Sequence, residues 1–429
     1  MKILYISQYF PPEMGAPAAR VSELARYWAA AGHEVTVLTG FPNHPTGVVH
    51  SEYRSRFRRL VCREQVGGVN VVRTWLVPLP NRKPAERMLN YISFCLSACL
   101  TGTFIERPDV VIATSPQLLV GICGWWVSRI KNVPFVLEVR DLWPESLAAV
   151  GVGSSRSLLH RGLGRLAGFL YRTCQRLVVV TPAFKDHIVR EWGVPGEKIS
   201  VVPNGVETEL FSPAAAGEAV RNDHGLQGRF VVSYIGTLGM AHDLGTVLDA
   251  AVCCAESMPE VVFLLVGEGA DKQRVMSLAR ERQLKNVQFL PQQPREKVPG
   301  LVAASDVCLV TLRRSDVFKT VIPTKMLEFM SCGRPVVLAV EGQARDLLGE
   351  AGAGICIPPQ DPAAMVDAIR QLWKSPDLCR NLGRSGRTYI EQNLSRSQTA
   401  ETYLRVLDAI TIRDLPSLAT GDISGAIEP

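Results

Sequence analysis

A rhythm of short apolar runs separated by amphipathic stretches restricts this chain most. Runs at residues 3–6, 34–39, 69–74, 108–113, 135–139 and 176–180 read as strands, and a helix is expected at about 18–31. The rhythm then begins again at 230–235, 261–266, 287–290, 307–310, 335–338 and 353–357, with a helix at about 244–256. Strands that are apolar throughout, alternating with helices, predict parallel sheets covered on both faces. Between the two passes lies Val202-Pro203-Asn204-Gly205-Val206, a turn that reads as a linker. The expected architecture is α/β, with two Rossmann-like domains whose parallel sheets face each other across a cleft. The N-terminal domain is placed at 1–202 and the C-terminal domain at 203–394. A last helix at about 395–412 is expected to pack back on the first domain, with a flexible tail at 413–429. Ligands of such sheets sit beyond the carboxyl ends of the strands, so the residues just after each strand are the candidates for function.

Composition agrees. A chain of 429 residues, 47% hydrophobic, suits two cores rather than one. A net charge of +6 suits anionic ligands or an anionic surface but is too weak to argue for nucleic acid. The eleven cysteines show no C-x-x-C or zinc spacing, so no metal is expected. The N-terminus has no signal-like apolar stretch, and the expected compartment is the cytoplasm. Residues 88–105 carry no formal charge, but Asn90, Ser93, Ser97, Thr101 and Thr103 dilute them, which reads as a buried or interfacial helix rather than a span. The run 53–63 interleaves Arg54, Arg56, Arg58 and Arg59 with apolar residues. It reads either as a solvated helix face or, with residues 81–105, as a peripheral contact with the cytoplasmic face of an anionic inner membrane.

The C-terminal half holds the densest chemistry. Gly236-Thr237-Leu238-Gly239 leads from a strand toward a helix, where backbone N–H groups can hold a phosphate, although a plain turn would use the same glycines. Gly267-Glu268-Gly269 is half of a dinucleotide fingerprint, and Lys272 occupies the place of its last glycine, which speaks against NAD. Glu328 sits early in a helix expected at 324–332, where dipole and function both favour a carboxylate. In the N-terminal half, Gly15 permits close backbone approach. Asp141 follows a strand and either reaches the cleft or caps a helix. His44 is a lone histidine, with a structural or an acceptor-side role.

Several segments in order carry a resemblance: Phe10-Pro11-Pro12 with Gly15, residues 31–37, Val202-Pro203-Asn204-Gly205-Val206, residues 265–269, Ala304-Ser305-Asp306, and residues 325–337. Together they resemble family 4 of the retaining glycosyltransferases, which have the GT-B fold. Phe41-Pro42-Asn43-His44-Pro45 and residues 140–146 resemble the WbuB-like branch of surface-polysaccharide enzymes. The resemblance implies a nucleotide-sugar donor, UDP-linked by preference, and a glycan or polyprenyl-diphosphate-linked acceptor, with no cofactor. It implies that Pro323, Thr324, Lys325, Met326, Leu327 and Glu328 grip the donor, with Glu328 on the ribose and Leu290 beside the base. Gly15, Gly236, Thr237, Gly239, Gly267 and Gly269 line the same donor site. The family's Arg/Lys pair on the glycine turn is replaced here by Thr237 and His242. Positive charge must then come from Arg313, Arg314, Lys319 or Lys325, and Lys319 and Lys325 are favoured. The first acid of the family's Glu-x7-Glu pair falls at Thr320, and Asp316 is the available substitute for holding the sugar. Asp141 is favoured for the acceptor hydroxyl. A nucleotide-sugar 2-epimerase and a non-catalytic nucleotide-sugar-binding protein are the alternatives.

Overall fold

The computed structural model describes residues 1–411 apart from Pro45, Asn81, Arg82, Pro116, Pro144, 146–157 and Ala215. Pro144 and Ser146 of the 140–146 motif, and the tail at 413–429, lie outside the described residues.

Two sheets form. The first contains β1 (Lys2–Ile6), β2 (Glu34–Gly40), β3 (Val61–Val66), β4 (Val69–Thr74), β5 (Val110–Thr114), β6 (Phe135–Val139), β7 (Arg176–Val179) and β8 (Ile199–Val201). Their order is β3-β4-β2-β1-β5-β6-β7-β8, and only β3 runs antiparallel to its neighbour. The second contains β9 (Phe230–Ile235), β10 (Val261–Val266), β11 (Val287–Leu290), β12 (Val307–Thr311), β13 (Val336–Ala339) and β14 (Gly354–Cys356), all parallel in the order β11-β10-β9-β12-β13-β14. Every residue of β5, β6, β10 and β12 is buried, as expected of strands covered on both faces. Each sheet has an apolar cluster on either side, two for the first sheet and two for the second. Strand order reverses between β1 and β5 in the first sheet and between β9 and β12 in the second. Loops leaving β1, β5, β9 and β12 therefore diverge around crevices suited to a ligand.

The helix Arg396–Thr411 packs on the first helix, Ala16–Ala30, with Tyr403 edge-on to Trp28 at 5.2 Å and Trp28 Nε1 donating to the Ala400 carbonyl at 3.1 Å. Arg20 of that first helix donates to the carbonyls of Val202 and Pro203 and to Asn204 Oδ1, anchoring the linker turn.

The basic run at 53–63 is not one helix. A 3-10 turn (Ser51–Tyr53) leads into a short helix (Arg54–Phe57); Leu60 then takes a positive φ of 63° and the chain enters β3. The helix Pro84–Thr103 is apolar on two sides. Phe94 and Ala98 are fully buried, whereas Leu89, Ile92, Leu96 and Leu100 form an outward stripe continued by Phe104. Leu96, Leu100 and Phe104 are 67%, 65% and 74% exposed, which is far from a core helix. No helix among the described residues is long and apolar enough to cross a membrane.

Candidate donor-binding site

The second sheet builds the site from two loops and one helix. After β9, Gly236 takes φ 145°, and a side chain there would place its Cβ 2.7 Å from Lys325 Nζ. After β10, Gly267 takes φ 147°, and a Cβ there would overlap the Gly236 carbonyl oxygen. The two loops interlock through Gly236 N–H to the Val266 carbonyl and Leu238 N–H to the Glu268 carbonyl, both 2.9 Å. Gly267 N–H reaches the Leu290 carbonyl at 3.1 Å, fastening the end of β11 to the same corner. Thr237 and Gly239 lie in this loop; the Thr237 carbonyl accepts from Tyr234 Oη at 2.8 Å. Gly267 and Gly269 thus serve loop packing directly, and their Glu268 pairs with Lys272 at 2.5 Å.

The helix Thr324–Ser331 begins at Pro323, whose carbonyl accepts from Met326 N–H at 3.0 Å. Met326 and Leu327 are core residues beneath it. Lys325 and Glu328, three apart and so on one face, carry the polar chemistry. Lys325 Nζ donates to Tyr234 Oη at 2.7 Å and lies 3.9 Å from the centre of that ring. Burial pushes its pKa down to about 7, with Glu328 opposing. His242 stands edge-on to Tyr234, with ring centres 5.9 Å apart. Burial first, and then the Lys325 charge, push His242 down to about 3, so it is a neutral ring at pH 7 and supplies no cation. Lys325 is therefore the amine seated directly under the glycine loop, readily protonated when an anion binds there.

Glu328 Oε1 accepts from Arg295 Nη1 at 2.9 Å. Burial raises the Glu328 pKa above the ordinary value, and the Arg295 charge works against that rise.

Lys319 has acidic partners of its own. It belongs to the 3-10 turn Val317–Thr320, pairs with Asp316 at 2.8 Å and approaches Glu341 at 3.8 Å. Asp316 is 95% exposed. Arg313 comes within 4.0 Å of Asp243, and Arg314 N–H bonds Gln360. Thr320 keeps its hydroxyl on the Val317 carbonyl and offers its own carbonyl to Thr181 Oγ1 of the first domain at 2.8 Å.

In the first domain, Gly15 caps the first helix at φ 138°. Arg140, after β6, binds the carbonyls of Ala16 and Pro17, fixing that helix start. Burial lowers the Arg140 pKa to about 10. Asp141 follows it, half-buried, beside Tyr171; burial, reinforced by the charges of Glu145 and Asp141, pushes that phenol well up. The His44 ring lies edge-on to Tyr9 at 5.2 Å, and burial lowers its pKa. The backbone N–H groups of His44 and Asn43 both donate to Glu13 Oε1 at 3.0 Å. Glu13 is almost fully buried, its second oxygen has no partner among the described residues, and burial raises its pKa to about 7.

Sequence reasoning missed Tyr234, Glu13, Arg295 and Glu23. Tyr234 alone left a trace, as the one phenol in an apolar strand that ends on Gly236.

Comparison with known proteins bears on this geometry. Residues 15–205 match a Glycosyl transferase 4-like domain, and residues 218–389 match the Glycosyl transferases group 1 family. A protein of Escherichia coli K12 named as the colanic acid biosynthesis glycosyl transferase WcaI is 25% identical over 94% of this chain and 99% of its own length. The 2-deoxystreptamine N-acetyl-D-glucosaminyltransferase of Streptomyces fradiae is 26% identical over 93% of this chain and 97% of its own. The structure of HepE from Anabaena in complex with UDP-glucose superposes with a TM-score of 0.71 at 17% identity, covering 95% of this chain and all of that one.

Proposed function

The chain belongs to the family 4 glycosyltransferases of GT-B fold, and from that premise we propose that it is a retaining enzyme acting on a UDP-linked sugar. The half-buried Lys325 amine under the glycine loop carries the reading. A departing diphosphate gathers negative charge, and preorganised N–H groups and a cation in a dry site stabilise it. Lys325 supplies the cation where Thr237 and His242 replace the family's Arg/Lys pair, because the charge of the incoming diphosphate favours its protonated form. The glycine loop supplies N–H donors, and Glu328 accepts from the ribose hydroxyls. Attack then proceeds on the face from which the phosphate leaves, so that the leaving oxygen helps take the acceptor proton and the configuration is retained. Positioning does much of the work, so the Asp141 carboxylate assists the acceptor hydroxyl without being indispensable.

The acceptor is a glycan or a polyprenyl-diphosphate-linked sugar of surface polysaccharide such as O-antigen or capsule, in keeping with the relative named for colanic acid synthesis. An N-acetylated amino sugar is the favoured transferred group, in keeping with the Streptomyces relative. Peripheral membrane contact fits this acceptor. The exposed Arg54, Arg56, Arg58 and Arg59 adjoin the apolar stripe: Phe57 stacks on Trp75 at 6.3 Å, and Ser97 of the striped helix bonds the Trp75 carbonyl. An apolar stripe beside arginines suits the interface of an anionic leaflet.

Incubation with a panel of nucleotide-sugars and lipid-linked acceptors, followed by NMR of the product anomer, tests the reading. A product with the donor's anomeric configuration is expected. Inverted product would overturn retention, and an epimerised donor would identify a 2-epimerase instead.

A further inference from the structure

One guanidinium joins the two domains at the nucleotide grip. Arg295 lies in the loop after β11. Its Nη1 donates to Glu328 Oε1 at 2.9 Å, and its Nη2 donates to Glu23 Oε1 at 2.7 Å. Glu23 belongs to the first helix, in the other domain, and its second oxygen accepts from Arg396 Nε at 2.7 Å. Glu23 and Arg396 are both 2% exposed. The guanidinium carbon of Arg295 lies 4.9 Å from the centre of the Phe211 ring, a cation–π contact that helps hold the fork in place. Alternating charge therefore runs Glu328, Arg295, Glu23, Arg396, from the grip helix across the domain boundary.

The arrangement suits a nucleoside. A buried carboxylate tends to protonate, and a protonated one accepts poorly from hydroxyls. Arg295 opposes that at Glu328. An ionised carboxylate offers about four acceptor positions, so one guanidinium bond leaves room for a vicinal diol. A planar fork can also serve two carboxylates at once, which an ammonium does poorly.

We infer that Arg295 is a positioning residue for the donor: it aims Glu328 at the ribose diol and ties that contact to Glu23, so the nucleoside is fully gripped only when the two domains are clasped. The inference rests on the reading of Glu328 as the ribose carboxylate.

Calorimetric titration of the full chain with UDP and with 2′,3′-dideoxy-UDP tests it. The unaltered protein should prefer UDP, and Glu328→Ala should erase the preference. Arg295→Met should weaken UDP by about tenfold to a hundredfold, the loss of a hydrogen bond to a charged group, and leave the dideoxy compound within about twofold. Arg295→Lys should fall between. Glu23→Gln should weaken UDP about threefold or more, and should have no further effect in Arg295→Met. Equal weakening of both ligands by Arg295→Met, or no weakening, would overturn the positioning role. Unchanged UDP affinity in Glu23→Gln would overturn the link between domains. A preference for UDP that survives Glu328→Ala would overturn the ribose reading itself.

Discussion

Replacing Lys325 by methionine should make the protein more stable at neutral pH while crippling it as an enzyme. Burial lowers the ammonium from 10.5 to about 7. At about 1.4 kcal/mol per unit, that drop corresponds to roughly 5 kcal/mol of destabilisation when the group is charged. Lys325 is only half-buried, so solvent relaxes the penalty, and about half of it is the better figure. Methionine fills similar space but loses the bond to Tyr234 Oη, at a cost of about 1 kcal/mol. The net gain at pH 7 is about 1–2 kcal/mol, or a rise in Tm of about 3–8 °C for a domain of about 190 residues. The pH dependence has a definite sign. Between about pH 7 and 10.5 the unfolded chain holds a proton on Lys325 that the folded chain has released, so the native protein gains stability as pH rises through that window. The methionine variant lacks this gain. Its advantage should be full at pH 7 and below, and should vanish near pH 10.5. Transfer should fall by about a hundredfold or more, the usual effect of removing one preorganised electrostatic contact. Melting curves at unit pH steps from 7 to 10, with a transfer assay at pH 7.5, provide the check. A variant less stable than the native protein at pH 7, or an advantage that does not shrink by pH 10, would refute the reasoning.

Three further outcomes are expected. Gly267→Ala forces a side chain into a φ of 147° and against the Gly236 carbonyl, and should cost about 2–4 kcal/mol in urea melts; a cost under about 0.5 kcal/mol would contradict the loop packing. Glu13 is raised from 4.5 to about 7 by burial, so the native protein should lose stability as pH rises through that interval, and Glu13→Gln should be about 2 kcal/mol more stable at pH 8 and equal near pH 4.5. Co-sedimentation with phosphatidylglycerol vesicles should be lost on Leu96→Asp with Leu100→Asp, and on charge reversal of Arg54, Arg56, Arg58 and Arg59; binding that survives both sets would remove the membrane contact.

The parallel strands were legible because a strand buried on both faces must be apolar throughout. The runs at 135–139, 230–235, 261–266 and 287–290 coincide with β6, β9, β10 and β11. β3 was not, because it is an antiparallel edge on which no residue is fully buried and Arg63, Glu64 and Gln65 break any apolar run. The glycine loop and its helix could be placed because glycines and a Pro-Thr-Lys start leave local marks. Their electrostatics could not be read in the same way. That Lys325 bonds Tyr234 while Lys319 pairs with Asp316 and Glu341 depends on how a turn folds, and both residues look alike in a string of letters. Arg295 was invisible for a stronger reason. Its partner Glu23 lies 272 positions away, in another domain, and no local pattern encodes such a pair.

The central claim is that this second sheet grips a nucleotide-sugar. The most direct measurement is the melting temperature of the unaltered protein with UDP-, GDP- and dTDP-linked sugars at saturating concentration. Binding at a hundred times the dissociation constant adds about 2.7 kcal/mol, so a UDP-sugar should raise Tm by about 5–10 °C. No shift with any of the three nucleotide classes would contradict the account.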